Sequence, residues 1–238
     1  LSLVYAGAVT FIVQRLELPL WEVGNEAGAT IGLALGVLVV FRNNAAYQRW
    51  WEARTQWGKL INDSRNLLLK SRAHAHVDSA EVDQMGRLIV AFANSLARHL
   101  RSWEPDRESP ELRDMPADYP HPPGYVAGKI HEMLARWQRC GNLPETVILA
   151  LDTHALGLLD VCGACERIRN TPLASSYRAL AHHGVILYVL VAPWSFSLDE
   201  VGLTWLSVPV LGMGLYFLLG LEITAIVVEN PFGLKQDD

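Results

Sequence analysis

GLTWLSVPVLGMGLYFLLGL, residues 202–221, is a run of twenty residues without a charged side chain. At a rise of 1.5 Å per residue, a helix of this length is about 30 Å long, which matches the hydrocarbon core of a bilayer. The apolar character continues past Glu222 to residue 228. This stretch therefore predicts a transmembrane helix.

A second apolar and aromatic stretch, GVILYVLVAPWSF, precedes it at residues 184–196. Pro193 and the polar residues 195–200 predict a turn between the two stretches, because proline and polar residues interrupt helices. Residues 181–228 are therefore predicted to form a transmembrane hairpin.

The N-terminal part has a similar pattern. Residues 1–13 and 29–41 are apolar, and a mixed segment, residues 14–28, lies between them. Neither run alone is long enough to cross a bilayer, although a helix beginning near Leu20 would be. The chain begins with Leu1 instead of Met, so we expect upstream residues of the first span to be missing. Residues 1–41 are predicted to form the first hairpin.

Basic residues are concentrated in the middle of the chain. Of the twenty Lys and Arg residues, all except Arg15 and Lys235 lie in residues 42–178. Such residues favour the cytoplasmic side of a membrane, so residues 42–180 and the tail, residues 229–238, are predicted to be cytoplasmic. The net charge of −5 argues against a broad nucleic-acid-binding surface.

The central region has the sequence pattern of helices. Apolar residues recur at helical spacing in residues 45–70 and 80–103, and two further helices are expected at residues 125–139 and 144–169. Residues 104–124 are rich in proline and predict a loop. The predicted fold is an all-α membrane protein with four transmembrane helices in two hairpins that flank a helical cytoplasmic region.

Cys162 and Cys165 have the CxxC spacing of a redox motif. That interpretation requires a preceding strand, whereas residues 147–161 have the pattern of a helix. Cys140 is the third cysteine, and a metal site would need further ligands that the nearby sequence does not supply. We expect the cysteines to be packing residues, with a membrane redox protein as the weakest of the alternatives.

Histidines occur as His74 with His76 and as the pair His182–His183. Their positions are typical of a helix connection and of a membrane boundary. The sequence contains no phosphate-binding glycine loop and no nucleophile elbow. We therefore expect no enzyme activity, no cofactor and no bound metal.

The stretch LALGVLVVFRNNAAYQRWWEARTQWG, residues 33–58, is unusual. Leu33, Val37 and Phe41 lie four residues apart and so share one face of a helix. Gly32 and Gly36 form a GxxxG pattern that permits close helix contact. A packed helix leaving the membrane explains the apolar face, but not the polar and aromatic cluster that follows, which comprises Arg42, Asn43, Asn44, Tyr47, Arg49, Trp50, Glu52, Arg54 and Trp57.

This stretch closely resembles the signature of the bestrophin family in its bacterial form. After the last span, Glu229 is followed by Asn230, Pro231, Phe232 and Gly233, which is similar to a short motif of the same family. The resemblance covers essentially the whole chain. It implies a homopentamer in the cell inner membrane that surrounds one central ion pore, with lipid and monovalent ions as its other partners.

The resemblance also assigns residues to the pore. It implies a narrow neck lined by Leu33, Val37 and Phe41, and a cytoplasmic constriction at Leu151, with Ile148 as the other candidate. Animal members follow the NPFG motif with an acidic run that helps to bind calcium. Here Leu234-Lys235-Gln236 precedes Asp237-Asp238, so we expect no calcium gating.

The charged residues of the two predicted outer loops indicate which ion passes. They contain Glu17, Glu22, Glu26, Asp199 and Glu200 against Arg15 alone, and acidic groups near a pore mouth concentrate cations. The resemblance to bacterial members also implies monovalent cations such as sodium. We expect Arg42 to turn away from the axis into side-chain pairing. The alternatives are an anion (chloride) channel of the same architecture and a membrane-anchored interaction protein without a pore.

Overall fold

The computed structural model describes residues 2–16, 21–195 and 204–233. Every regular element within these ranges is a helix, which confirms the all-α prediction. The helices are α1 (Ser2–Leu16), α2 (Trp21–His74), α3 (Ser79–Leu100), α4 (Pro122–Arg139), α5 (Glu145–Asn170), α6 (Ser175–Ser195) and α7 (Thr204–Val228).

The chain divides into two compact units. The first unit contains Leu1–Trp50 and Pro172–Asn230, and the second contains Trp51–Thr171 and Pro231–Asp238. Helix α2 contributes to both, since its 54 residues include no proline that would interrupt it. Its start at Trp21 gives the second apolar run of the sequence the length that a helix beginning near Leu20 would have.

Three described helices are long and apolar enough to cross a membrane, within Gly28–His74, Glu145–Asn170 and Leu206–Val228. The first and the last contain predicted spans. The middle one is α5, whose apolar face is buried within the second unit through residues such as Leu151, Leu158 and Val161. Helices α1 and α6, with 15 and 21 described residues, are not among the three. The set of four spans therefore stays a prediction.

The core of the second unit is formed by amphipathic helices. Helix α3 buries Met85, Leu88, Phe92 and Leu96, which recur at the spacing of three or four residues that one helix face requires. Helix α4 adds Trp137, which is 1% exposed and donates its indole N–H to Glu81 Oε2 at 2.7 Å. Leu67 of α2 completes this core. The helices predicted in the central region are thereby confirmed to within a few residues of their ends.

In the first unit, helices α6 and α7 pack through small apolar clusters. Ala192 of α6 contacts Leu211 and Leu215 of α7. Helix α1 is tied to α6 by a hydrogen bond from the Tyr5 hydroxyl to the carbonyl of Leu190, at 2.8 Å. Helix α2 packs against α6 in a separate apolar cluster.

Candidate functional site

Helix α2 has one exposed apolar face in the first unit. Leu33, Val37 and Phe41 are 73%, 49% and 63% exposed. Because each residue advances the helix by about 100°, positions four residues apart differ by about 40° and form a continuous stripe. The three residues that the sequence singled out are therefore on one surface of the protomer, which we call the neck stripe.

The opposite side of α2 packs inside the protomer. Leu35 and Val39 are buried against Val185 of α6, in a cluster that α7 extends. Val37 is two positions from each of them, so it is rotated away from both by about 160°. The neck stripe therefore faces away from α6 and α7.

The two glycines of the GxxxG pattern have different surroundings. A Cβ atom at Gly32 would lie 2.6 Å from the Tyr188 hydroxyl, so the lack of a side chain at Gly32 makes room for the end of this tyrosine of α6. Gly36 has no heavy atom within 4 Å of such a Cβ among the described residues. Gly32 thus accommodates a side chain of α6, and close helix contact through the GxxxG pattern stays a prediction.

Arg42 follows the neck stripe directly and is only 1% exposed. Its Nη1 donates to both carboxylate oxygens of Glu222, at 2.6 and 2.5 Å. Its Nη2 lies 3.5 Å from Oε2 of Glu229. The expected side-chain pairing of Arg42 is therefore confirmed, and it links α2 to the end of α7.

Two further residues join this pair. Arg178 lies 3.2 Å from Glu229, and His182 Nδ1 lies 2.9 Å from Glu222. Both carboxylates are buried, so their charge must be compensated by neighbours. The sequence analysis did not predict these pairings. Glu222, a lone glutamate within an apolar span, could have indicated them, because charged side chains inside a membrane span are usually paired.

The remaining residues of the signature have several roles. The rings of Tyr47 and Trp50 lie 5.9 Å apart. Glu52 pairs with Arg167 at 2.5 Å, and Trp57 packs against the core of the second unit. Asn44 and Arg54 are exposed, whereas Asn43 and Arg49 are half-buried.

The second family-like motif ends the described part of the chain. Phe232 packs against the core of the second unit, whereas Asn230 is exposed. Pro231 and Gly233 are half-buried. Asp237 and Asp238, on which the calcium expectation partly depends, lie outside the described residues.

The structure separates the two candidates for the cytoplasmic constriction. Leu151 is completely buried in the core of the second unit, whereas Ile148 is only partly buried at the edge of that core. A side chain that lines a passage between subunits needs free surface in the protomer. The burial pattern therefore favours Ile148.

The acidic residues that the sequence places in the outer loops are divided by the structure. Glu22 and Glu26 belong to the first turns of α2, whereas Glu17, Asp199 and Glu200 lie outside the described residues.

The second unit holds a polar network that the sequence reasoning did not identify. His154 Nδ1 lies 3.0 Å from Asp63 Oδ1, and His154 Nε2 lies 2.8 Å from Lys70 Nζ. Lysine can only donate, so His154 accepts at Nε2 and donates from Nδ1 to the carboxylate. Gly157 allows this arrangement, because a Cβ atom there would collide with Asp63 Oδ2.

Comparison with known proteins gives consistent results. The profile of a family described as "Bacterial/Fungal Bestrophin protein" matches residues 1–238. A "Voltage-dependent anion channel-forming protein" from Nostoc sp. is 30% identical over 246 residues, covering 98% of this chain and 77% of that protein. A protein of the same description from Escherichia coli K12 is 31% identical, covering 87% of this chain and 69% of its own length.

The fold is also similar to that of solved proteins. A crystal structure of a bacterial bestrophin homologue from Klebsiella pneumoniae superposes with a TM-score of 0.85 at 22% identity. The superposition covers all of this chain and 89% of the homologue. This similarity applies to the fold, because the identity is low.

Proposed function

The chain belongs to the bacterial and fungal bestrophin family, and from this premise we propose that it forms an ion channel whose pore is lined by the neck stripe of α2. The observation that carries the proposal is the exposure of Leu33, Val37 and Phe41 on the side of α2 opposite its packing contacts. An apolar ring of this kind can control ion flow by excluding water from a narrow passage.

We propose a homopentamer in the bacterial inner membrane, with five copies of α2 around the axis. The apolar character of Leu206–Val228 and of the α2 segment after Gly28 supports membrane insertion. Helices α1 and α6 would complete two hairpins, and residues 42–180 and both termini would face the cytoplasm. We propose a second constriction at Ile148, because its side chain is less buried than that of Leu151.

We propose that the permeant ions are monovalent anions. The curated relatives at 30–31% identity are described as anion channel-forming proteins, which favours the anion alternative over the cation preference inferred from the outer loops. Arg42 contributes no unpaired positive charge at the neck, because Glu222 and Glu229 compensate it. Selectivity would then depend on other parts of the pore.

Reconstitution into planar bilayers tests the ion that passes. With a sodium chloride gradient across the membrane, we expect a reversal potential near the chloride equilibrium potential. A value near the sodium equilibrium potential would contradict the anion proposal and restore the cation interpretation. A folded, membrane-inserted protein without any current would instead favour a membrane-anchored interaction protein.

Shortening the neck side chains tests the pore face. The double variant Leu33→Ala/Val37→Ala should raise the ion flux, because a wider and less apolar throat remains hydrated. The matched control is Ile31→Ala, which shortens another exposed side chain of α2 at a position rotated about 160° from Leu33. Equal flux in the wild type and in a well-folded double variant would indicate that another helix lines the pore.

A further inference from the structure

Three potential metal ligands meet in the second unit. His99 is in the last turn of α3, His121 is the N-cap residue of α4, and Glu166 is in the last third of α5. The Nε2 atoms of both histidines lie 2.8 Å from the same oxygen, Glu166 Oε1. Three separate helices therefore direct two imidazoles and one carboxylate to a single point.

The chemistry of this group matches that of a transition-metal site. Two imidazole nitrogens and a carboxylate oxygen are a common ligand set for Zn²⁺, whose structural sites add a fourth ligand. Cys162 provides a candidate, since its Sγ lies 3.8 Å from His121 Nε2. The three ligand atoms of His99, His121 and Glu166 all lie within 4.8 Å of one another.

We propose that His99, His121 and Glu166 bind one divalent transition-metal ion per protomer, with Zn²⁺ preferred and Cys162 as the fourth ligand. The side chains of the three primary ligands are 24%, 35% and 28% exposed, so an ion can reach them from solvent. Zn–N and Zn–O bonds of about 2.0–2.2 Å place tetrahedral ligand atoms about 3.3 Å apart. Each histidine Nε2 must therefore move away from Glu166 Oε1 by only about 0.5 Å.

The surrounding groups define what binding must change. Gly124 donates its backbone N–H to His121 Nδ1 at 2.9 Å, so neutral His121 carries its proton on Nε2 and donates to Glu166. A metal at Nε2 moves that proton to Nδ1 and removes the acceptor from Gly124. The N-terminus of α4 should consequently lose this cap when the ion binds.

Two neighbouring groups affect the charge of the site. Burial and the nearby Glu166 raise the pKa of the Cys162 thiol to about 12, so it ligates only when the ion displaces its proton. Arg169 lies three residues after Glu166 on α5, about one helical turn further along. Its guanidinium donates hydrogen bonds to the His99 carbonyl and to Ser102 Oγ.

The position of the site indicates a structural role. His99 and His121 bracket the proline-rich connection between α3 and α4, and Glu166 connects both to α5. A bound ion would hold the two ends of this connection close together and cross-link α3, α4 and α5. It would stabilise the folded state by an amount that rises with the logarithm of the free ion concentration relative to the dissociation constant.

The test uses the full chain in detergent, with any affinity tag removed and metals stripped by a chelator. Zinc titration should show one ion per protomer and raise the thermal midpoint. Glu166→Gln and His121→Asn should each weaken binding at least tenfold; asparagine is a favourable N-cap residue, so the second variant keeps α4 capped. The matched control, His131→Asn, changes another histidine of the same unit and should bind normally.

Two readouts on the wild type make the test independent of variant folding. Cobalt binding should give visible absorption typical of a tetrahedral site, with a thiolate charge-transfer band that disappears in Cys162→Ser. Hydrogen exchange at the Gly124 amide should become faster when zinc is present. Absence of zinc binding, or equal binding by wild type, Glu166→Gln and His121→Asn, would overturn the site; a cobalt spectrum without the thiolate band would overturn the assignment of Cys162.

Discussion

Replacement of Arg42 by glutamine should destabilise the protein strongly. The change leaves Glu222 and Glu229, which are 4% and 8% exposed, without the guanidinium that pairs with both. Removing one partner of a buried ion pair costs about 3–5 kcal/mol. Arg178 and His182 still contact the two carboxylates, so we expect the lower end of that range, about 3 kcal/mol.

A loss of this size lowers the thermal midpoint by roughly 6–12 °C for a chain of this length. The assay is heating of the detergent-solubilised protein, followed by size-exclusion chromatography to measure the folded fraction. Glu222→Gln should have a smaller effect, about 1.5–2 kcal/mol, because Arg42 keeps Glu229 and can donate to the new amide oxygen. The control is Arg54→Gln, at an exposed position where substitutions change stability by less than about 0.5 kcal/mol. Equal midpoints for Arg42→Gln and Arg54→Gln would refute the reasoning.

Three further outcomes are expected. Gly157→Ala should cost about 1–3 kcal/mol in a thermal unfolding measurement, because its methyl group collides with Asp63. Gly163→Ala on the same helix should not destabilise, because no described residue has an atom within 4 Å of the added methyl group. At pH 8 iodoacetamide should alkylate exposed Cys140 in the folded protein and spare buried Cys162, of which only about one thiol in ten thousand is ionised at a pKa of about 12. Micromolar calcium should leave the channel current unchanged in bilayer recordings, and a steep calcium response would show that an acidic site exists elsewhere.

The helical architecture could be predicted because local pattern determines it. Apolar spacing in α3 and the proline-rich connection before α4 are properties of short segments, and the structure follows them closely. The rotation of Phe41 relative to Arg42 also follows from helix geometry alone. For this reason an exposed Phe41 and a paired Arg42 could be expected, although the two residues are adjacent in sequence.

Features that depend on distant contacts could not be predicted in the same way. Leu151 and Ile148 lie on the same apolar helix, and only the packing of the second unit's core determines that Leu151 is the fully buried one. His99 and His121 are separated by a long connection, and nothing local indicates that both contact Glu166.

Modification of an engineered cysteine at Val37 tests the central claim most directly. In a Cys140→Ser background, Val37→Cys channels in a planar bilayer are exposed to a charged methanethiosulfonate reagent, and Ile31→Cys channels serve as the control. If the neck stripe lines the pore, the reagent should rapidly reduce the current through Val37→Cys and leave Ile31→Cys unchanged. An unchanged current through Val37→Cys, with mass spectrometry showing that the cysteine has reacted, would contradict the assignment of this face of α2 to the pore.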